Sequence, residues 1–348
     1  MFRLQRILLS SQAAKLKAVR RVTQDNRGKK TAGMDGIKFI SPEKRVELSN
    51  SLILNGRASP IKKVYIPKSD KKFRPLEIPN IEDRAKQFLV LMVLELQWEA
   101  KFESNSYGFR PGRSRHDAIE AIFIAINQKP KFFLDADIQR CFNEINHDAL
   151  LSKLETFPLI EKQIKSWLKA GVLENDVIVP NEKGTPQGSL VSPLLMNIAL
   201  HGLENAVVNF MKGLKTKGDD GKYIVKRRRA RSINTIKYAD DFVILHEHPL
   251  VVKECKKFVQ NFLSIIGLTL NENKTHIGRT LDWFEEKPPG LYFLGFNIRQ
   301  YKIGKYAIRK TKAALPYRTL ICPSKSKVKE HYKSIKEILK KLKKQKCL

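Results

Sequence analysis

The stretch "TIKYADDFVIL", residues 235–245, places Asp240 and Asp241 side by side between two runs of β-branched and aromatic residues. Apolar runs of this length around a short polar pair predict strand, tight turn, strand, with both carboxylates at the tip. Two like charges there repel unless a cation neutralises them. A second run, "KFFLDADI" at 131–138, reads as a buried strand that also ends on acids. Its Asp137 is the natural third carboxylate, although the strand repeat of two puts Asp135 on the same face and alternation does not choose between them. A hard divalent ion such as Mg²⁺ takes carboxylate oxygens and leaves positions open for phosphate, and two such ions suit phosphoryl transfer to a primer hydroxyl. The competing reading is a plain Asp-Asp turn, because Asp tolerates turn conformations.

Charge narrows the partner. The 348 residues are 42% hydrophobic, enough for a large core in two or three domains, yet Lys and Arg number 66 against 35 acids, a formal charge of +31. Such an excess repels itself unless a polyanion is bound, and nucleic acid rewards Lys and Arg through counterion release. An anionic membrane is the rival, but no apolar run reaches the roughly 18 residues of a spanning helix, and the basic residues are spread along the chain. Cys141, Cys255, Cys322 and Cys347 stand alone, which argues against a zinc site or a disulfide framework and for a reducing compartment, cytoplasmic or organellar, without secretion. His246 and His248 flank Glu247 with no further ligands near, so a metal site there is not expected. The basic, acid-free N-terminus resembles a transit peptide, and a retained basic helix explains it equally.

Periodicity predicts helices over the first 20 residues, 42–56, 83–98, after "SYGFRPGRS", 148–156, 161–170, 190–208 and from Val251 to Gly267. Strands are expected at "IKKVYIP", "FRPLEIP", 131–138 and either side of Asp240, with a final hairpin of "LYFLGFNIRQY" and "KYAIRK". Antiparallel hairpins with intervening helices imply an α+β fold. Val328, Tyr332, Ile335, Leu339 and Leu342 recur at four- and three-residue spacing in a lysine-rich tail, one amphipathic helix that must dock on the chain or on a partner.

Taken together, "IPKSDKKFRPLEIP" (66–79), "SYGFRPGRSRHDAI" (106–119), "DADIQRCFNEINH" (135–147), "GTPQGSLVSPLLMN" (184–197), "YADD" (238–241), "GLTLNENKTHIG" (267–278) and "FLGF" (293–296) resemble, in order, the blocks of the group II intron reverse transcriptase/maturase family. "RRVTQDNRGKKTAGMDGI" resembles the extension before the fingers of these proteins. The resemblance implies an RNA-directed DNA polymerase with a right-hand fold: an N-terminal extension at 1–40, fingers at 41–130, palm at 131–310 and the start of a thumb, or domain X, at 311–348. It makes Asp137, Asp240 and Asp241 catalytic ligands of two Mg²⁺ ions, with Mn²⁺ as a substitute. Lys68 and Arg74 would grip the incoming triphosphate. Phe142 would lie under the sugar, core packing being its other reading. Gln187 would contact the nucleotide, with Gly184 and Gly188 letting backbone approach it. Tyr238 would lie near the primer end, Lys274 would support the palm or be a plain surface lysine, and Gly295 would belong to the primer grip or mark a bulge.

Partners implied are an RNA template or intron RNA, a primer and dNTPs. Three departures stand out: Asn143 where an Asp is usual, an N-terminus that starts partway into the extension, and a C-terminus inside the first thumb helix. With no HNH endonuclease expected, target cleavage is not predicted. Two other readings remain: a non-catalytic maturase fragment that binds intron RNA, and a reverse transcriptase recruited to phage defence.

Overall fold

A computed structural model of the protein describes residues 2–67, 73–174, 177–215, 230–303 and 315–345. The acidic hairpin and the buried run form the middle of one sheet. Strands β3 (Phe132–Asp137), β6 (Asn234–Tyr238), β7 (Asp241–His246) and β8 (His276–Arg279) lie in the order β6-β7-β3-β8, and every neighbouring pair is antiparallel. Both faces of this sheet are covered, which is why its central strands read as continuous apolar runs. Leu134, Ala136, Phe242 and Ile244 pack against helices α4 (Ile81–Glu99), α9 (Ser192–Ala199) and α11 (Pro249–Ile265). Phe133, Ile236, Val243 and Leu245 pack against α5 (Arg115–Asn127) and against β9 (Leu291–Phe293) and β10 (Phe296–Lys302). Each of these buried Leu, Ile, Val and Phe side chains contributes about 1.5–3 kcal/mol. Asp135, Asp137 and Asp241 continue the second set by strand alternation, so the acids follow in register from residues that hold the core.

Local signals place the helices. α5 opens with a capping box in which Ser114 Oγ accepts from Asp117 N and the Asp117 carboxylate accepts from Ser114 N at 2.6 Å. α4 is buried nearly all round, and its Asp83 accepts from Trp167 Nε1 and Ser59 N, both at 3.0 Å. β1 (Ile61–Pro67) and β2 (Phe73–Ile78) form the expected antiparallel pair, and β1 also runs parallel to β4 (Val172–Glu174), whose partner is β5 (Val177–Val179). A third sheet pairs β10 with β9 and with β11 (Tyr317–Pro323).

Several expectations are revised. The first helix breaks at Ser11, whose side chain caps Ala14 N, giving α1 (Phe2–Ser10) and α2 (Gln12–Arg20). The helix at 42–56 ends earlier, as α3 (Pro42–Ser51). The long helix after "GTPQGS" divides at Gly202 into α9 and α10 (Leu203–Gly213). β10 pairs with 317–323, and "KYAIRK" lies outside the described residues. The tail helix, α12 (Lys325–Gln345), leaves Tyr332 65%, Leu339 56% and Leu342 53% exposed. Among the described residues no helix is long and apolar enough to cross a membrane.

Candidate active site

Register brings the carboxylates together. Tyr238 and Asp241 form the last pair of β6 and β7, so Ala239 and Asp240 make a two-residue turn. Ala239 adopts φ +58, a conformation costing an L-residue about 1–3 kcal/mol that persists where surrounding structure holds it. Gly108 supplies that hold, since a Cβ there would stand 2.2 Å from Ala239 N. Across the sheet Asp137 is the partner of Asp241, and the two carboxyl groups are within hydrogen-bond reach.

Electrostatics follow from this crowding. Burial, then Asp240 and Asp137, pushes the Asp241 carboxyl up to about 7. Burial, then Asp241 and Asp137, does the same for Asp135, also to about 7. Asp240 is raised chiefly by burial, with Asp137 adding to it and Lys274 and Arg74 opposing. Lys274 Nζ donates to Asp137 Oδ2 at 2.9 Å and Asn271 Nδ2 reaches the same oxygen at 3.2 Å. The lysine expected to support the palm is therefore an ion-pair partner of the site, and Asp137 holds its ammonium above the usual range.

A cleft of about 980 Å³ opens beside the turn, with Asp137, Asp240, Arg74, Phe142, Gln187 and Lys274 on its walls. Gln187 is fixed at both ends: its N–H donates to Glu77 Oε2 at 2.9 Å and its Nε2 to Asn143 Oδ1 at 2.5 Å. The loop carrying it is strapped by Gly184 N to Ile145 O at 2.7 Å and by a bond of 2.7 Å between His147 Nε2 and Gly184 O. Gly184 (φ +82) and Gly188 (φ +130) are crowded by protein: a Cβ would lie 2.6 Å from Phe142 O and 2.4 Å from Glu77 O respectively. Their lack of a side chain thus serves loop docking.

Not every predicted residue reaches the cleft wall. Tyr238 and Asp241 flank the turn without lining the cleft, and Asp135 faces His276 Nε2 at 3.8 Å. Gly295 (φ +86) forms the β9–β10 turn and accepts from Ser324 N at 2.9 Å, so it seats the start of α12. Lys68 lies outside the described residues. Sequence reasoning missed Glu77, Asn271 and His147, and gave Asn143 no role; the short "CFNEINH" segment, which supplies three of the loop's anchors in Asn143, Ile145 and His147, was the available signal.

The donor set suits a hard divalent cation. It consists of carboxylate oxygens, and burial and charge repulsion raise the Asp240 and Asp241 groups, the condition that a cation relieves. Cys141 also lines the cleft, but burial raises its thiol and keeps the softer donor neutral. As the side chains stand, no three His, Cys, Asp or Glu groups among the described residues are drawn around one centre.

Comparison with known proteins gives the family and the fold. The family described as reverse transcriptase (RNA-dependent DNA polymerase) matches residues 66–298, and the N-terminal domain of reverse transcriptase matches 1–52. Protein YkfC of Escherichia coli is 29% identical over 90% of this chain and 88% of its own length. The group II intron-encoded protein LtrA of Lactococcus lactis is 30% identical over 80% of this chain, which spans about half (54%) of LtrA. In fold, the chain is similar to apo telomerase from Candida tropicalis, with a TM-score of 0.53 and 16% identity over 69% of this chain and 53% of that one. Its carboxylate hairpin, its α+β core and a family match over more than half its length agree: the chain belongs to the reverse transcriptase family, alongside the group II intron-encoded proteins and maturases.

Proposed function

We propose that this chain is an RNA-directed DNA polymerase of group II intron type, joining the α-phosphorus of a dNTP to a primer 3′-oxygen on an RNA template with release of pyrophosphate. The observation that carries this reading is the meeting of Asp137 and Asp240, from neighbouring parts of one sheet, with Arg74, Phe142 and Gln187 on the walls of one cleft. Asp137, Asp240 and Asp241 would hold two Mg²⁺ ions. Bound there, the ions would lower the pKa of the 3′-hydroxyl and stabilise charge on the attacking and leaving oxygens.

The chain's own residues do the rest. Arg74 offers a planar fork and Lys68 a point charge to the triphosphate. Phe142 presents a flat ring where a 2′-hydroxyl would clash. Gln187, held by Asn143 and Glu77, meets the nucleotide in a fixed orientation. Tyr238 backs the primer end, Gly295 seats α12 on the primer side, and Lys274 balances Asp137. In this reading residues 1–40 extend the fingers (41–130), 131–310 are palm and 311–348 begin a thumb. A charge of +31 supports RNA template, intron RNA and primer as partners. A maturase role in splicing is supported by the likeness to group II intron-encoded proteins and to maturase-like protein 1 of Euglena gracilis.

The test is primer extension on an RNA template with dNTPs and Mg²⁺, beside a variant with Asp240→Ala and Asp241→Ala. Extension by the wild type and none by the variant is expected. If neither extends while both bind RNA with steep salt dependence, the chain is an RNA-binding protein and the polymerase reading is wrong.

A further inference from the structure

The strand that delivers Asp240 carries a lysine sealed from solvent. Lys237, in β6 three residues before Asp240, is 3% exposed. Its Nζ donates to Leu200 O at 3.2 Å, at the C-terminal end of α9, the helix that follows the Gln187 loop. Its main chain donates to Asn105 O at 2.8 Å and accepts from Tyr107 N at 2.9 Å, so residues 105–107 run along the outer edge of β6. The same segment leads into Gly108, which presses on the turn at Ala239 and whose carbonyl accepts from Asn197 Nδ2 of α9 at 2.7 Å. One residue therefore ties the catalytic turn to both α9 and the 105–108 segment.

Fold stability does not call for a charge here. Burying an ammonium is costly, and a well-packed apolar side chain in its place is often neutral or stabilising. Burial lowers the Lys237 pKa to about 8, while Glu103 and Glu204 favour the ammonium and Lys153 opposes it; Cys141 faces it as well. The carbonyls at the end of α9 also favour the cation, through the negative end of the helix dipole. Lys153, from α7 (His147–Leu154), donates to Ala199 O at 2.6 Å and His201 O at 3.1 Å at the same helix end, without belonging to the hairpin.

We propose that Lys237 is a positioning residue of nucleotidyl transfer, its ammonium fixing the spacing between the turn that bears Asp240 and the loop and helix that bear Gln187. This rests on the polymerase reading. The experiment is single-nucleotide incorporation on an RNA template with Mg²⁺, together with thermal unfolding, for wild type, Lys237→Met, Lys237→Arg and Lys153→Met. Lys237→Met is expected to lower kcat by roughly 10–100-fold with the KM for dNTP changed less than about twofold, because a misplacement near 1 Å carries such a penalty. Lys237→Arg, which keeps the charge and its donors, regains most of the rate. Lys153→Met keeps kcat per folded molecule. If Lys237→Met does not fold, Lys237→Gln takes its place with the same expected result. A Lys237 variant that folds and turns over like the wild type overturns the proposal. So does a loss of rate shared equally by Lys153→Met, which would mark both lysines as structural. A wild type that does not extend overturns the polymerase reading itself, and this role with it.

Discussion

Strands β3 and β7 treat buried polar groups in opposite ways at their two ends. At the far end Lys131 N donates to Thr280 Oγ1 at 3.0 Å, Thr280 Oγ1 donates to Gln300 Oε1 at 2.6 Å, and Gln300 Nε2 donates to Ile126 O at 2.8 Å. His246 Nδ1 accepts from His248 N and its Nε2 lies 3.0 Å from Ser232 Oγ. In these two networks donors and acceptors match, and neutral partners satisfy one another. At the near end Asp137, Asp240 and Asp241 meet, and burial raises the last two. The same two strands thus combine an end whose polar groups are paired with an end whose crowded carboxyl groups a cation would relieve. Strain of this kind is what a catalytic metal site requires and what a fold selected for stability alone would remove.

The sharpest break between the ends concerns Asp241→Asn. Polymerisation is expected to fall by about 10³-fold or more, the scale seen when one preorganised electrostatic group is lost. In a metal chelator at neutral pH the same variant unfolds at a higher temperature than wild type, gaining roughly 1–2 kcal/mol because a charge raised by burial and its neighbours is gone. A variant that loses both activity and chelated stability would show that the carboxylates support the fold, and the contrast would fail.

The opposite end gives the next effect in size. Gln300→Leu removes one of two acceptors from the Thr280 hydroxyl, which keeps Lys131 O at 3.2 Å, and one donor from Ile126 O, which keeps Lys129 N at 3.2 Å, a loss of about 0.5–1.5 kcal/mol in urea unfolding. Turnover per folded molecule is expected to stay within about twofold of wild type. A drop in turnover at equal folded fraction would mean that the far end also tunes the site.

The two ends were unequally legible in the sequence. The hairpin could be placed because apolar runs flank a two-residue turn, and β3 because both its faces are covered. Likewise the α4 and α5 helices were readable from period and caps. The far end was invisible: Thr280 and Gln300 look like ordinary polar residues, and their partnership spans 20 positions. β8, β4 and β5 are only three or four residues long and take their form from strands already in place. Within the site, residue types were readable but their tethers were not. Asn143 holds Gln187 across 44 positions and Lys274 reaches Asp137 across 137, distances over which no local pattern carries information.

The smallest effect is a difference in pH slope, and its sign separates the ends. In chelator the Asp241 carboxyl has a folded pKa near 7, above the ordinary value of 3.8. Folding then binds extra protons between the two, so this contribution is complete below about pH 3.8 and is lost as pH rises through 7. His246 is shifted the other way, from 6.5 to about 4, chiefly by burial. Its contribution is present above 6.5 and is lost as pH falls through 4. Between pH 4.5 and 6.5 the two oppose each other, each by at most about 1.4 kcal/mol per pH unit. Asp241→Asn removes the falling contribution, so its stability climbs more steeply with pH than that of wild type. His246→Asn, whose amide can accept from His248 N and donate to Ser232, removes the rising one and tilts the profile the other way. Urea unfolding at pH 4.5, 5.5 and 6.5 measures both slopes, and unchanged slopes in the two variants would erase the electrostatic contrast between the ends. Adding Mg²⁺ to wild type should then move its profile toward that of Asp241→Asn, since a bound cation displaces the proton that the folded carboxylates otherwise retain.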